Sequence, residues 1–234
     1  MIFTLLALAL APGVAVMVYI YLKDHHEKEP IGLLARAFLF GVLSVVLTLI
    51  LTSIAENFAT LDHSQAGDLA LYAFGMVALI EEGSKYFFVR YFLYTHKEFD
   101  EPFDGIVYAV MVSMGFATLE NLFYVFDGGV GTAVLRMFTA VPAHATFAVL
   151  MGFFLGKAKF EHRKPGFGLI GLLAATFFHG AYDYFLFMQN VPGIWLGAIA
   201  SLIVGVYLSR RAIKIHQDVS PFRIVPNESK TQEG

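Results

Sequence analysis

The sequence predicts an all-α protein, a polytopic transmembrane helical bundle of about seven spans. Composition is the first observation: hydrophobic residues make up 57% of the 234 positions and charged residues only 15%, against about 25% charged in a soluble domain. Mean hydropathy is +0.65. The second observation is the recurrence of apolar stretches long enough to cross a bilayer, which takes about 20 helical residues. The third is the absence of the roughly ten-residue alternating segments that a membrane barrel needs. Lipid offers the backbone no hydrogen-bond partner, so long apolar runs mean helices. The chain has no cysteine, which excludes a disulfide framework, a thiolate metal site and a cysteine nucleophile. A net charge of -3 and a pI near 6.2 argue against a nucleic-acid partner.

The spans follow in order. Ile2–Leu22 has no basic residue before it and no small-residue cleavage site after it, so it reads as a retained helix. The polar loop KDHHEKE comes next, and its His25 and His26 read as a solvated turn rather than a metal site. Gly32–Ala55 is the second span, and Leu69–Tyr94 the third, with Glu81, Glu82 and Lys85 at its middle. Gly105–Phe126 carries Glu120, and Thr132–Gly156 carries His144. Pro142 is placed to kink that fifth helix beside the histidine. Phe167–Met188 carries His179 and Asp183, and Pro192–Ser209 is the shortest span. Residues 1–215 form one membrane-embedded domain on this reading, and 216–234 a flexible polar tail.

Orientation comes from lysine and arginine. Twelve of the sixteen lie in the 23–31, 95–104 and 157–166 loops and the C-terminal tail, and none in the 56–68, 127–131 and 189–191 loops. The positive-inside rule puts the N-terminus outside and the C-terminus in the cytoplasm. Arg136, near an external end, is the exception.

The informative residues are ionisable groups where lipid should be. A charge at the bilayer centre costs at least ~2.5–3.5 kcal/mol, so such groups face the bundle or a water-filled cavity and usually mark function. At 1.5 Å per residue, Glu81 and His144 lie about 18 Å from the external ends of their spans, His179 about 13 Å, Glu120 about 9 Å and Asp183 about 7 Å. These depths are compatible with one pocket opening outwards. Lys85 is four residues from Glu81 and three from Glu82, and Asp183 is four from His179, so each pair can meet on one helix face. A glutamate near an imidazole in a wet pocket can hydrolyse amides, taking a proton from water while the imidazole or a lysine stabilises the oxyanion or leaving amine. The same groups could hold Zn²⁺, with His144, His179, Glu81 and Glu120 as candidate ligands. No HExxH helix is present, and metal-free and zinc-assisted hydrolysis both stay open. Other readings of the same residues are an ion- or proton-coupled transporter, a non-catalytic interaction protein, and a prenyl-protein protease with a cytoplasm-facing site.

The set EEGSK (Glu81, Glu82, Lys85), FATLE (Phe116, Glu120) and HGAYD (His179, Asp183), with His144 between, resembles the PrsW family of membrane-embedded proteases. That family is distantly related to the CAAX-prenyl-protease and bacteriocin-processing group. Lys85 falls one position before that group's arginine, and Glu120 replaces its second-motif histidine; both departures match PrsW. The resemblance implies a multi-pass protease of a bacterial cytoplasmic membrane, in contact with lipid. It further implies first-site, extracytoplasmic cleavage of a single-span substrate, an anti-sigma factor, in a stress response. Matched by motif, Glu81 and Glu82 carry the catalytic pair. Glu120 and His179 complete the pocket with His144, supported by Lys85 and Asp183.

Overall fold

A computed structural model describes residues 2–58, 60–161, 166–188 and 191–223, and among these it contains helices and no strands. In chain order they are α1 (Ile2–Lys23), α2 (Ile31–Glu56), α3 (Ala66–Leu71), α4 (Leu79–Phe88), α5 (Asp104–Phe138), α6 (Ala140–Phe160), α7 (Gly166–Phe187) and α8 (Leu196–Asp218). Among the described residues, five stretches are long and apolar enough to cross a membrane: α1, α2, α7, α8 and the 57 residues from Asp104 to Phe160.

The long stretch is a hairpin. Gly129 adopts φ +71° and ψ -160°, a conformation that favours glycine, and it breaks α5 internally. Contacts on either side run in antiparallel order. Arg136 reaches Glu120 and Asn121, Ser113 donates to the His144 carbonyl, and Gly105 packs on Gly152. A second break falls at Thr139 (φ -122°, ψ -75°). Pro142 lies in the first turn of α6, where its missing N–H is no loss. The irregularity expected at Pro142 therefore sits three residues earlier.

Residues 66–93 form one helical rod in which π-helical turns, Tyr72–Ala78 and Val89–Leu93, flank α4. In them an N–H reaches back five residues: Leu79 donates to the Phe74 carbonyl and Tyr94 to that of Val89. Such turns are frequent at functional sites.

The inner half of α5 is the axis of the bundle. Every residue from Asp104 to Thr118 is buried. Glycines set the approach of its neighbours. A Cβ on Gly41 of α2 would lie 1.9 Å from the Val112 carbonyl oxygen, and one on Gly105 would lie 2.4 Å from that of Gly152. Small residues let membrane helices approach this closely. Large apolar side chains such as Phe3, Leu39, Leu49, Leu173 and Ile203 remain exposed on the outer faces, as a lipid-facing surface requires.

Two expectations about the polar segments change. The 23–31 loop is not simply solvated: His25 is exposed, but Asp24 and Glu29 are buried. The last helix starts after a turn at Gly193 (φ +78°) and runs past the expected tail boundary at 216 to Asp218, with His216 and Ser220 buried. Their neighbours on the bundle hold them there: His216 stacks on Phe153 at 4.4 Å, and Ser220 donates to Glu101. The rest of the expected tail, 224–234, lies outside the described residues.

Gly41→Ala should lower the unfolding midpoint in detergent, because the backbone must move; overpacking of this kind costs about 1–3 kcal/mol or more. Gly32→Ala, where a Cβ meets nothing within 4 Å, should leave the midpoint unchanged or slightly raised. Equal effects of the two substitutions would contradict the α2–α5 crossing.

Candidate active site

Four elements converge on one group of ionisable side chains. α4 supplies Glu81, Glu82 and Lys85, α5 supplies Glu120, α6 supplies His144, and α7 supplies His179 and Asp183. Glu82 and Lys85, three residues apart, face the bundle together, and the Glu82 side chain is 0% exposed. The Lys85 ammonium donates to Glu82 Oε1 at 2.8 Å and to Glu81 Oε2 at 3.4 Å. It also lies 3.3 Å from His144 Nδ1 and 4.0 Å from the centre of the Phe116 ring. Burying an ammonium is costly unless it is paired and hydrogen-bonded, and Lys85 meets both conditions.

Each imidazole is held at both nitrogens. His179 Nδ1 is 2.9 Å from Glu82 Oε1, and its Nε2 is 3.2 Å from Asp183 Oδ2 and 3.9 Å from Glu81 Oε2. Phe147 stacks on the His179 ring at 5.0 Å. His144 Nε2 is 2.8 Å from Glu120 Oε2, opposite the nitrogen that faces Lys85.

Of the expected residues, Glu81, Glu120, His144, His179 and Asp183 line a cavity of about 480 Å³. Glu82 and Lys85 lie behind its wall. Thr48, Leu49 and Thr52 of α2, Tyr72 and Met76 of the 66–93 rod, and Tyr124 and Arg136 of the hairpin also line the cavity.

Arg136 is the residue that sequence reasoning missed. Its Nη2 donates to Glu120 Oε2 at 2.8 Å, its Nε donates to Asn121 Oδ1 at 2.8 Å, and its guanidinium stacks on Tyr124 at 4.0 Å. Glu120 therefore receives Arg136 and His144 on one oxygen. The available signal was the charge itself: an arginine in an apolar stretch, across a Gly-Gly turn from a glutamate that had no local partner.

The donor set suits a metal. One ligand atom from each of Glu81, Glu82, His144 and His179 lies within 4.8 Å of the others, and oxygen and imidazole donors are ordinary zinc ligands. Glu82 Oε2 is buried without a hydrogen-bond partner, as a free ligand atom would be. Glu120, expected among the ligands, is outside this group, and Glu82 takes its place.

The model of the PrsW family of intramembrane metalloproteases matches residues 29–209. The chain is 43% identical to Protease PrsW of Geobacillus kaustophilus, over 83% of this chain and 85% of the relative. It is 36% identical to that of Bacillus subtilis, over 79% and 83%, and 31% identical to that of Clostridioides difficile, over 87% and 86%. No solved structure is significantly similar to it.

Glu82→Gln should destabilise the protein by about 3–5 kcal/mol, because it leaves Lys85 and His179 buried without their shared carboxylate. Glu81→Gln should cost much less, since the Glu81 side chain is 13% exposed on the cavity wall. Unfolding of both variants in one detergent checks the order, and a reversed order would contradict this division between buried and cavity-facing glutamates.

Proposed function

Because the chain belongs to the PrsW family of intramembrane metalloproteases, and so is a peptidase embedded in a membrane, we propose that it cuts a single-span membrane protein near its external boundary. The observation that carries this reading is the cavity: in a mostly apolar bundle, Glu81, Glu120, His144, His179 and Asp183 all face one space large enough for a peptide segment and water.

The proposed roles follow from exposure. Glu81 is the glutamate of α4 that reaches the cavity, so it meets water and accepts its proton. Glu82 stays buried and fixes Lys85 and His179. Lys85 touches no cavity surface and acts through the two glutamates and His144, rather than on the substrate. His179, oriented by Glu82 and Asp183, is placed to hand a proton to the leaving amine. His144, oriented by Glu120, is placed to stabilise the oxyanion. These roles belong to the metal-free site; with the metal that the family description implies in place, Glu81, Glu82, His144 and His179 would hold it instead. Such an ion supplies Lewis-acid polarisation and a water of lowered pKa.

The substrate direction has two supports. Leu49 and Leu135 line the cavity yet are 59% and 65% exposed, so the site has a lipid-facing side through which a substrate helix can approach. Charge supplies the second: with seven crossings and the N-terminus outside, the basic loops and tail lie in the cytoplasm, and the Gly129 turn lies outside. The Gly129 turn and Glu120 share one end of the bundle. An anti-sigma factor in a bacterial cytoplasmic membrane, cut at its first site, is the substrate proposed here; it rests on the PrsW resemblance.

Glu81→Gln should fold and lose about 10²–10⁴-fold in cleavage of a single-span reporter, the range of a general acid–base group. His179→Ala should also cripple turnover, and Asp183→Asn less so. Wild-type cleavage by both Glu81→Gln and Glu82→Gln would sink the glutamate mechanism. A topology reporter inserted at Gly129 should read as external and one fused at Gly234 as cytoplasmic. The opposite pair would move the cut to the inner face.

A further inference from the structure

The wall that α2 gives to the cavity carries no ionisable group. Thr48, Leu49 and Thr52 form it, and the two threonines, four residues apart, share one face of the helix. α2 and α5 enter the bundle at the same end, where the Tyr108 hydroxyl donates to Glu29. They cross at Gly41 and Gly115: a Cβ on Gly115 would lie 3.1 Å from the Gly41 Cα. Thr48 is seven residues beyond that crossing and Glu120 five, so at about 1.5 Å per residue they lie within about 3 Å of the same depth. Thr48 is thus level with the polar cluster, and its neighbour Leu49 borders the lipid-facing side of the cavity.

The Thr48 hydroxyl is an orphan. The residue is 7% exposed, and its Oγ1 is buried without a hydrogen-bond partner. A hydroxyl on a helix can satisfy itself by donating to a carbonyl one turn back. Ser44, Thr132, Thr139 and Thr146 all do so in this chain, to the carbonyls of Gly41, Gly128, Leu135 and Ala143 at 2.6–3.0 Å. Thr48 does not. Ser84 and Thr176 also carry buried hydroxyls without partners, but neither lines the cavity. Among the described residues, Thr48 alone combines an orphaned hydroxyl with a place on the cavity wall.

A substrate supplies what this hydroxyl lacks. A peptide bond inside a membrane helix is closed to attack, because its carbonyl is bonded within the helix. Hydrolysis therefore requires the segment to unwind. The freed N–H and C=O groups then enter a largely apolar space, where each is costly until it finds a partner. A threonine hydroxyl can donate to such a carbonyl.

We propose that Thr48 is a substrate-binding residue whose hydroxyl donates to a backbone carbonyl in the unwound segment of the substrate span, with Thr52 continuing the polar row one turn outwards. This rests on the reading of the protein as a protease of single-span substrates, and adds how the segment is held beside the glutamates and histidines. The bond is made to main chain. It therefore selects a segment for being unwound at this depth, and not for the identity of its side chains.

The test uses the full chain in detergent and a single-span reporter, with Thr48→Val, which keeps the shape and removes the hydroxyl, and Thr48→Ser, which keeps the hydroxyl. Thr48→Val should lower kcat/KM by about 5–100-fold, the range for leaving one buried hydrogen-bonding group unsatisfied. The loss should fall on KM, because the bond is present both before and during the chemical step. Thr48→Ser should restore most of the activity. The unfolding midpoint of Thr48→Val without substrate should be unchanged or raised, since an orphaned polar group has been removed. A structural hydroxyl would give the opposite pattern, and a midpoint that falls in step with activity would overturn the proposal. So would cleavage by Thr48→Val at the wild-type rate, or a loss confined to kcat, while the protease reading stood. If the wild-type chain cuts no single-span reporter, that reading fails and this inference fails with it.

Discussion

The ammonium of Lys85 is the constraint around which the rest of the site is arranged. It is buried in an apolar bundle, and a charge there is tolerable only where partners surround it. Glu81 and Glu82 come from its own helix and His144 from α6, with the Phe116 face of α5 against it. Three elements are thus locked in rotation by one cation. Glu82 passes the constraint on to His179 of α7, and His144 passes it to Glu120 and through it to Arg136. A chain of hydrogen bonds therefore runs from α4 to the hairpin, and each member orients the next.

The arrangement also explains which helices are scaffold. α1 and α8 contribute nothing to the cavity lining. α1 accepts the Asn121 side-chain amide at the Ala9 carbonyl, and Asn121 in turn accepts Arg136. α8 packs Gly205 and Ser209 against Thr146, two residues from His144. Both helices work one step back, holding the segments that hold the polar groups.

Much of this was legible in the sequence because charge in an apolar run is conspicuous. Glu81, Lys85, His144 and the His179–Asp183 pair stood out by depth and by helical spacing, and they meet. Other features depended on the path of the chain. Arg136 read as a residue near a helix end, because its partner Glu120 is sixteen positions away across a turn whose geometry Gly129 sets. Asp24 and Glu29 read as solvated because their neighbours in KDHHEKE are polar. Tyr108 covers Glu29 and Glu101 faces Asp24, both distant in sequence. α8 runs on past 216 for a related reason: Phe153 holds His216, and Glu101 holds Ser220 just beyond the helix, contacts that composition does not reveal.

The π-helical turns on either side of α4 bear on how such a site can be tuned. Each turn accommodates about one residue more than an α-helix of the same axial length, and one residue corresponds to about 100° of rotation. The rod from Ala66 to Leu93 can therefore keep its two ends seated on α2 and α7 while the phase of its middle is set separately. The glutamates and Lys85 occupy that middle. In mechanical terms α4 is a shaft between two couplings, and its angular setting is independent of the bearings at either end.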